Sequence, residues 1–452
     1  MDPREGKTGG TPSPETVSTK LARIAELARR DPKAALTTLA HHIDVEFLRE
    51  AYARTRKDGA PGIDGQTAEE YEKDLDANLH ALLDAFKSGM YYAPPVRRVY
   101  IPKADGSKTR PIGIPTLEDK VLQRAVSMVL EAVYEQDFMP CSYGFRPGRS
   151  AHQALEELWK KLMKLQGGVV LELDIQKFFD TLDHGHLRGF LNQRVRDGVL
   201  RRTIDKWLAA GVLEDGQIHH PKAGSPQGGV ISPILSNVYL HEVLDRWFTE
   251  EVLPRLKGSA FLIRYADDAV LVFAREDDAR AVFASLAERF AKFGLTLHPE
   301  KTRLVRFQRP QGPNGPAGSA PGTFDLLGFT HHWGRSRRGN WVVQRRTASG
   351  RLGRALQSVG AWLREHLHEP ILAQHASLVR KLQGHYAYYG ITGNYGALHA
   401  FRYQLTRLWC HWLGRRNQKK SMTWDRMNRF LTCHPLPAAK IVHSALRCAA
   451  NP

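Results

Sequence analysis

Two adjacent carboxylates, Asp267 and Asp268, interrupt the apolar stretch FLIRYADDAVLVF at 261–273. The pattern predicts a β-hairpin with a tight acidic turn. Neighbouring carboxylates in partly apolar surroundings repel one another, and burial penalises their charge, unless a cation or water compensates. A hard divalent cation is the natural compensation, since Mg²⁺ takes one or two carboxylates together with substrate phosphates. A third acid, Asp174, ends another apolar strand within VVLELDIQKFFD at 169–180. Alternation puts Val170, Glu172 and Asp174 on one face and Leu171, Leu173 and Ile175 on the other. If Asp174 meets the pair across a sheet, three carboxylates can hold two metals about 4 Å apart, the arrangement for in-line phosphoryl transfer. Asp is also common in hairpin turns, so the Asp-Asp pair alone leaves both readings open.

The elements that must position these acids are legible in outline. Residues 20–90 read mainly as helix, broken by the Gly/Pro loop GAPGIDG at 59–65. Residues 96–115 predict a hairpin around Ala104-Asp105-Gly106, followed by helices at 117–139 and 151–165. After the first acidic strand a helical stretch runs to about 210, and a Gly-rich turn at 224–229 opens the helix VISPILSNVYLHEVLDRWF. An amphipathic helix at 281–294 ends on Gly294, a natural C-cap. The Pro/Gly-rich stretch 308–323 predicts a flexible surface insertion, and FDLLGF after it a short strand. Four basic helices are expected beyond, at about 346–367, 370–388, 395–414 and 436–448.

The chain of 452 residues carries a formal net charge of +18 and a pI near 9.8. Such a charge points to a polyanionic partner, either nucleic acid or an anionic membrane surface. No apolar run approaches the ~20 residues needed to span a bilayer, so no membrane-embedded segment is expected. The first residues have no apolar signal core and include Asp2, Glu5 and Glu15. A disordered tail in a cytoplasmic protein is expected. The four cysteines, Cys141, Cys410, Cys433 and Cys448, include no C-x-x-C pair and read as ordinary thiols. From His331 to Pro452 there are 20 Lys and Arg against only Glu365, Glu369 and Asp425, almost the whole positive excess. A near-neutral body is thus joined to a basic region rich in aromatics, a composition suited to phosphates and unpaired bases. Most of those rings are expected simply to pack between helices.

Tyr265-Ala266-Asp267-Asp268 resembles the Y-x-D-D hairpin of reverse transcriptases, with the Ala form usual in group II intron enzymes. The resemblance runs in order through about residues 45–445: SKTRPIGIP, SYGFRPGRS (142–150), LDIQKFFD, SPQGGVISP (225–233), GLTLHPEKT (294–302) and LLGF (326–329). It implies an α+β right-hand polymerase, with fingers and an antiparallel palm sheet, followed by an α-helical thumb or maturase domain. The implied division is a tail at 1–19, fingers and palm at 20–330, thumb/maturase at 331–415 and a short basic DNA-binding tail at 416–452.

The resemblance also implies roles. Asp174, Asp267 and Asp268, with the backbone carbonyl of Ile175, would hold two Mg²⁺ ions, with Mn²⁺ a possible substitute. Lys103 and Arg110 would grip the incoming triphosphate, as a point charge and a planar fork suit. Phe179 would be the aromatic gate that excludes a 2′-hydroxyl. Gln227 and Gly228 would form the loop beneath the nucleotide, and Lys301 would protonate leaving pyrophosphate. The implied partners are RNA template or intron RNA, a DNA primer or target, and dNTPs, with no membrane. An RNA-directed DNA polymerase that also aids splicing and mobility of its intron is expected. A protein that is mainly a maturase is the alternative, or a domesticated relative in phage defence or DNA repair. The paired cysteines of the endonuclease domain found in many relatives are missing, which likens the chain to the endonuclease-lacking, group IIC-like members.

Overall fold

The computed structural model describes residues 16–102, 109–214, 216–219, 223–224, 228–310, 322–336, 338–416 and 422–443. Lys103, Gln227, Cys448 and most of the predicted insertion at 308–323 lie outside them.

A helical layer opens the chain: α1 (Val17–Arg30), α2 (Val45–Ala53), α3 (Ala68–Glu72) and α4 (Leu75–Ser88). Thr16, Asp44 and Thr67 start three of these helices by accepting from the N–H three residues on. Helix α1 therefore begins inside the stretch expected as tail. The hairpin β1 (Val96–Pro102) and β2 (Thr109–Ile114) follows, then α5 (Leu117–Tyr134) and α6 (Ala151–Leu165). Next come β3 (Val169–Leu173), α7 (Phe178–Thr181), α8 (His184–Arg194) and α9 (Gly198–Ala209). The short strands β4 (Val212–Glu214) and β5 (Gln217–His219) precede α10 (Ser232–Leu240). That last helix widens into π-helical turns at His241–Asp245 and Trp247–Val252. Then follow β6 (Ala260–Tyr265), β7 (Asp268–Phe273), α11 (Glu276–Lys292), β8 (Arg303–Arg306), β9 (Phe324–Leu326), β10 (Phe329–Arg335) and β11 (Trp341–Thr347). Helices α12 (Ser349–Glu365), α13 (Ile371–Tyr389), α14 (Tyr395–Arg415) and α15 (Trp424–Cys433) complete the described chain.

The central sheet has the order β6-β7-β3-β8 and is antiparallel throughout. Strands β3, β6 and β7 are largely apolar on both faces because both faces are covered, whereas β8 at the edge carries exposed Arg303 and Arg306. Leu171, Leu173, Leu262 and Leu271 pack with the helical layer around Val126, Leu235 and Phe290. Val170, Ile263, Val270 and Val272 pack on the other side against Leu158, Phe307 and Trp333. Each fully buried aliphatic side chain of this kind is worth about 1.5–3 kcal/mol. A second sheet, β2-β1-β4-β5, carries the 96–114 hairpin, with β1 and β4 parallel. A third, β11-β10-β9, bridges to the helices beyond.

Several expectations differ from the structure. The helix expected at 436–448 is absent from its described part. The preceding helix, α15, ends at Cys433, and the chain continues irregularly to His443, which bridges to Ile391. Pro435 and Pro437 explain this, since each lacks an N–H and biases the preceding residue away from helix. The hairpin of β10 and β11 was not foreseen, and the expected division at 330/331 falls within β10. Nor does the segment after 416 stand apart, because Met427 and Leu436 share a core with Leu378, Trp409 and Leu413.

Candidate active site

The ladder between β3 and β7 pairs Leu173 with Ala269. The next residues along these strands are Asp174 and Asp268, so both acids emerge together at one end of the sheet. The backbone of Asp174 is fixed from the 294–302 segment: its carbonyl accepts from His298 N at 2.8 Å and Thr302 Oγ1 at 3.1 Å. The bridge between Ile175 and Leu297 employs the backbone groups of their neighbours, leaving the Ile175 carbonyl outside that pairing. Asp267 and Asp268 follow Ala266, which holds the left-handed conformation at φ 57°.

Electrostatics mark these acids out. Burial, then the charge of Asp174, raises the Asp267 carboxyl above its ordinary range, while its own backbone N–H, Arg110 and Arg264 pull the other way. Enclosure by the cleft, then the charges of Asp267 and Asp174, pushes Asp268 up to about 6, although its side chain still reaches solvent. Asp174 accepts from Lys301 Nζ at 3.0 Å. Asp174, Asp268 and Lys301 line one open cavity of about 450 Å³, together with Arg351 and Arg354 from the start of α12. A larger cavity of about 750 Å³ lies at the opposite end of the same strands, beside Gly168 and Ala274, and contains no carboxylate. Among the described residues no three His, Cys, Asp or Glu side chains form a ready-made metal cage. The residues fit a cation nonetheless, because burial and mutual repulsion hold two carboxylates above their ordinary range, and a bound divalent ion would offset both.

Arg110, on β2, lies close enough to act on Asp267. Phe178 enters the core, whereas Phe179 beside it stays half-buried. A Cβ at Gly224 would stand 2.8 Å from the Phe179 carbonyl, so Gly224 packs closely on the backbone at Phe179 and Asp180. At Gly228 (φ 116°) a Cβ would stand 2.6 Å from the Gly113 carbonyl of β2. The close approach there is to the β2 backbone. Gln123 Oε1 accepts from Val230 N at 2.8 Å and ties the same loop to α5. Lys103 and Gln227 lie outside the described residues.

Residues 101–331, about half of the chain, match the family model described as reverse transcriptase (RNA-dependent DNA polymerase). The chain belongs to the reverse transcriptase family. It is 36% identical over 288 residues to Protein YkfC of Escherichia coli (strain K12), covering 57% of this chain and 75% of that protein. Group II intron-encoded protein LtrA of Lactococcus lactis subsp. cremoris is 42% identical over 229 residues, 49% of this chain and 37% of its own length. A 91 kDa protein in the cob intron of Schizosaccharomyces pombe is 36% identical over 180 residues, 40% of this chain and 21% of that one. The match thus spans well under half of the intron-encoded relatives. Membership makes this chain an RNA-directed DNA polymerase with the right-hand fold, with which the antiparallel central sheet is consistent. No helix among the described residues is long and apolar enough to cross a membrane.

Several residues of this reverse transcriptase escaped the sequence reading. Arg351 and Arg354 sat unmarked in one of several basic helices. Gln123 lies in a helix with no visible link to the 224–229 loop. Arg264 did leave a signal, as a lone charge inside the apolar run before Tyr265.

Proposed function

We propose that this reverse transcriptase copies RNA into cDNA at Asp174, Asp267 and Asp268, which hold two divalent cations with help from the Ile175 carbonyl. The observation that carries the reading is the register of β3 and β7. It sets Asp174 beside the acidic turn, where the three carboxylates act on one another. Bound there, Mg²⁺ would activate the primer 3′-hydroxyl and neutralise charge on the triphosphate and leaving pyrophosphate.

The chain's own groups do the rest. Arg110 and Lys103 grip the triphosphate, and Gln227 and Gly228 bound the nucleotide, Gly228 packing closely on β2. Phe179, whose ring is half-buried, excludes a 2′-hydroxyl. Lys301 holds Asp174 in the free protein and, once released, delivers a proton to pyrophosphate. Helices α12–α14 act as thumb, and the segment after 416 binds DNA. By likeness to the intron-encoded relatives, the basic region binds intron RNA and supports splicing and mobility.

Primer extension on an RNA template with Mg²⁺ and dNTPs tests the reading. Asp267→Ala or Asp268→Ala abolishes extension and leaves RNA binding intact. Equal loss of both activities contradicts the division between palm and basic region.

A further inference from the structure

Immediately before the acidic turn, Arg264 is sealed in the palm with no exposed side-chain surface, and its partner Asp245 is equally buried. A guanidinium has five N–H groups in a fixed fork, and here all five are spoken for. Nε donates to Asp245 Oδ1 at 2.7 Å, and Nη2 donates to Asp245 Oδ2 at 2.5 Å and Ser142 Oγ at 2.7 Å. Nη1 donates to Asn237 Oδ1 at 3.0 Å and to the carbonyl of Ala266 at 3.1 Å. That carbonyl belongs to the peptide joining Ala266 to Asp267, on the residue held at φ 57°.

The partners come from three separate parts of the chain. Asn237 lies in α10 and also donates from Nδ2 to the Gly144 carbonyl at 2.8 Å. Asp245 ends the first π-helical stretch, a widening that often marks functional sites. The 141–144 segment pairs with Arg264 through Arg264 N to Cys141 O at 2.8 Å and Tyr143 N to Arg264 O at 2.9 Å. A Cβ on Gly144 would stand 2.3 Å from Ala266 N, so this segment also abuts the turn directly.

We infer that Arg264, neutralised by Asp245 and steadied by Asn237, is a positioning residue that fixes the Ala266–Asp267 peptide and so aims the two turn carboxylates. A hydrophobic filler of the same volume would satisfy packing, since buried ion pairs are often replaceable without loss of stability. It would not orient that carbonyl. A left-handed alanine is disfavoured, and without its bond the peptide is free to relax. The inference rests on the proposed metal-binding role of Asp267 and Asp268.

The test uses the full chain in two variants, Arg264→Met/Asp245→Leu and the milder Asn237→Ala. Expected for the double variant is a folded protein with a moderately lowered melting temperature, since Asn237, Ser142 and Ala266 each lose a donor, and an unchanged template–primer Kd. Its kcat falls about 100-fold, the scale of a misplacement near 1 Å. Asn237→Ala keeps the ion pair and shows a smaller fall in kcat, with KM for dNTP unmoved. In both, binding of Mn²⁺ alone, read by electron paramagnetic resonance, weakens in parallel. Folded variants with wild-type kcat and Mn²⁺ binding overturn the inference, and Asn237→Ala decides it if the double variant fails to fold. Asp267→Asn and Asp268→Asn serve as reference. If these remain active, the metal-binding reading itself fails; if they are dead while the Arg264 and Asn237 variants are not, only the positioning role does.

Discussion

Lys301 donates from Nζ to Asp174 Oδ2 at 3.0 Å, so a lysine occupies a carboxylate oxygen that the proposed chemistry requires for a cation. The pair is substantially exposed, and such pairs contribute little to stability. Lys301→Ala should therefore change unfolding free energy by less than about 1 kcal/mol. If the released ammonium protonates pyrophosphate, kcat for nucleotide addition falls by about 100-fold or more, with template–primer affinity unmoved. Single-turnover kinetics beside thermal melts separate the two effects, and an unchanged kcat removes the proton-donor role.

The Asp268 carboxyl carries a pH signature in the metal-free protein. Its folded pKa of about 6 lies above the roughly 3.9 of an unfolded aspartate. A raised folded value means its contribution is complete below about pH 4 and is lost as pH rises through 6. In EDTA, the melting temperature of the wild type should thus fall relative to Asp268→Asn across that window. Mg²⁺ added above pH 6 should narrow the gap. A difference between the two proteins that ignores pH would contradict the crowding of the acids.

Phe179 and Phe178 are chemically alike in the sequence, and only burial separates them. Phe179→Val should relax the preference for dCTP over CTP by about 100-fold, the upper scale for steric discrimination in a pocket. The measurement is the ratio of kcat/KM values on one RNA template. Unaltered discrimination would leave Phe179 as packing only.

Gly228 is held at φ 116° with its missing Cβ facing the Gly113 carbonyl at 2.6 Å. Gly228→Ala must both strain the backbone and push the loop off β2, at a combined cost of about 1–3 kcal/mol. Because β2 also carries Arg110, KM for dNTP should rise along with the loss of stability. Gly59, which has open space around its absent Cβ, is the control, and Gly59→Ala should move neither.

What was legible beforehand follows from the range of each interaction. Asp174, Asp267 and Asp268 stand out because acids inside apolar strands are costly, and the β3 and β6–β7 strands around them are strongly apolar. The end of α11 before Gly294 was equally readable, since a left-handed glycine is a local signal. Strands β10 and β11 were not, because their polar and basic residues hide the alternation. The π-helical turns left no local mark either. They widen a helix that reads as ordinary α, and their consequence is a contact between Asp245 and a strand residue nineteen positions on. Pro435 and Pro437 are local signals against a helix beginning at 436.

Salt offers a test of the basic region independent of the palm. Helix α14 has no acidic residue, and Arg407 and Arg415 are exposed on it, over the rings of Tyr403 and Trp412. If this region grips RNA through several phosphates, affinity should fall about 1,000-fold or more between roughly 50 and 200 mM salt. Replacing both arginines, Arg407→Gln with Arg415→Gln, frees two phosphates if each guanidinium holds one. The slope of log affinity against log salt should then flatten by about 0.7 per phosphate freed, the value for a single strand. Metal dependence of primer extension should stay as in the wild type, because neither arginine lines the cavity beside Asp174. A slope unchanged by both substitutions would place the phosphate grip elsewhere in the basic region, and a flat wild-type response would deny that phosphates supply it.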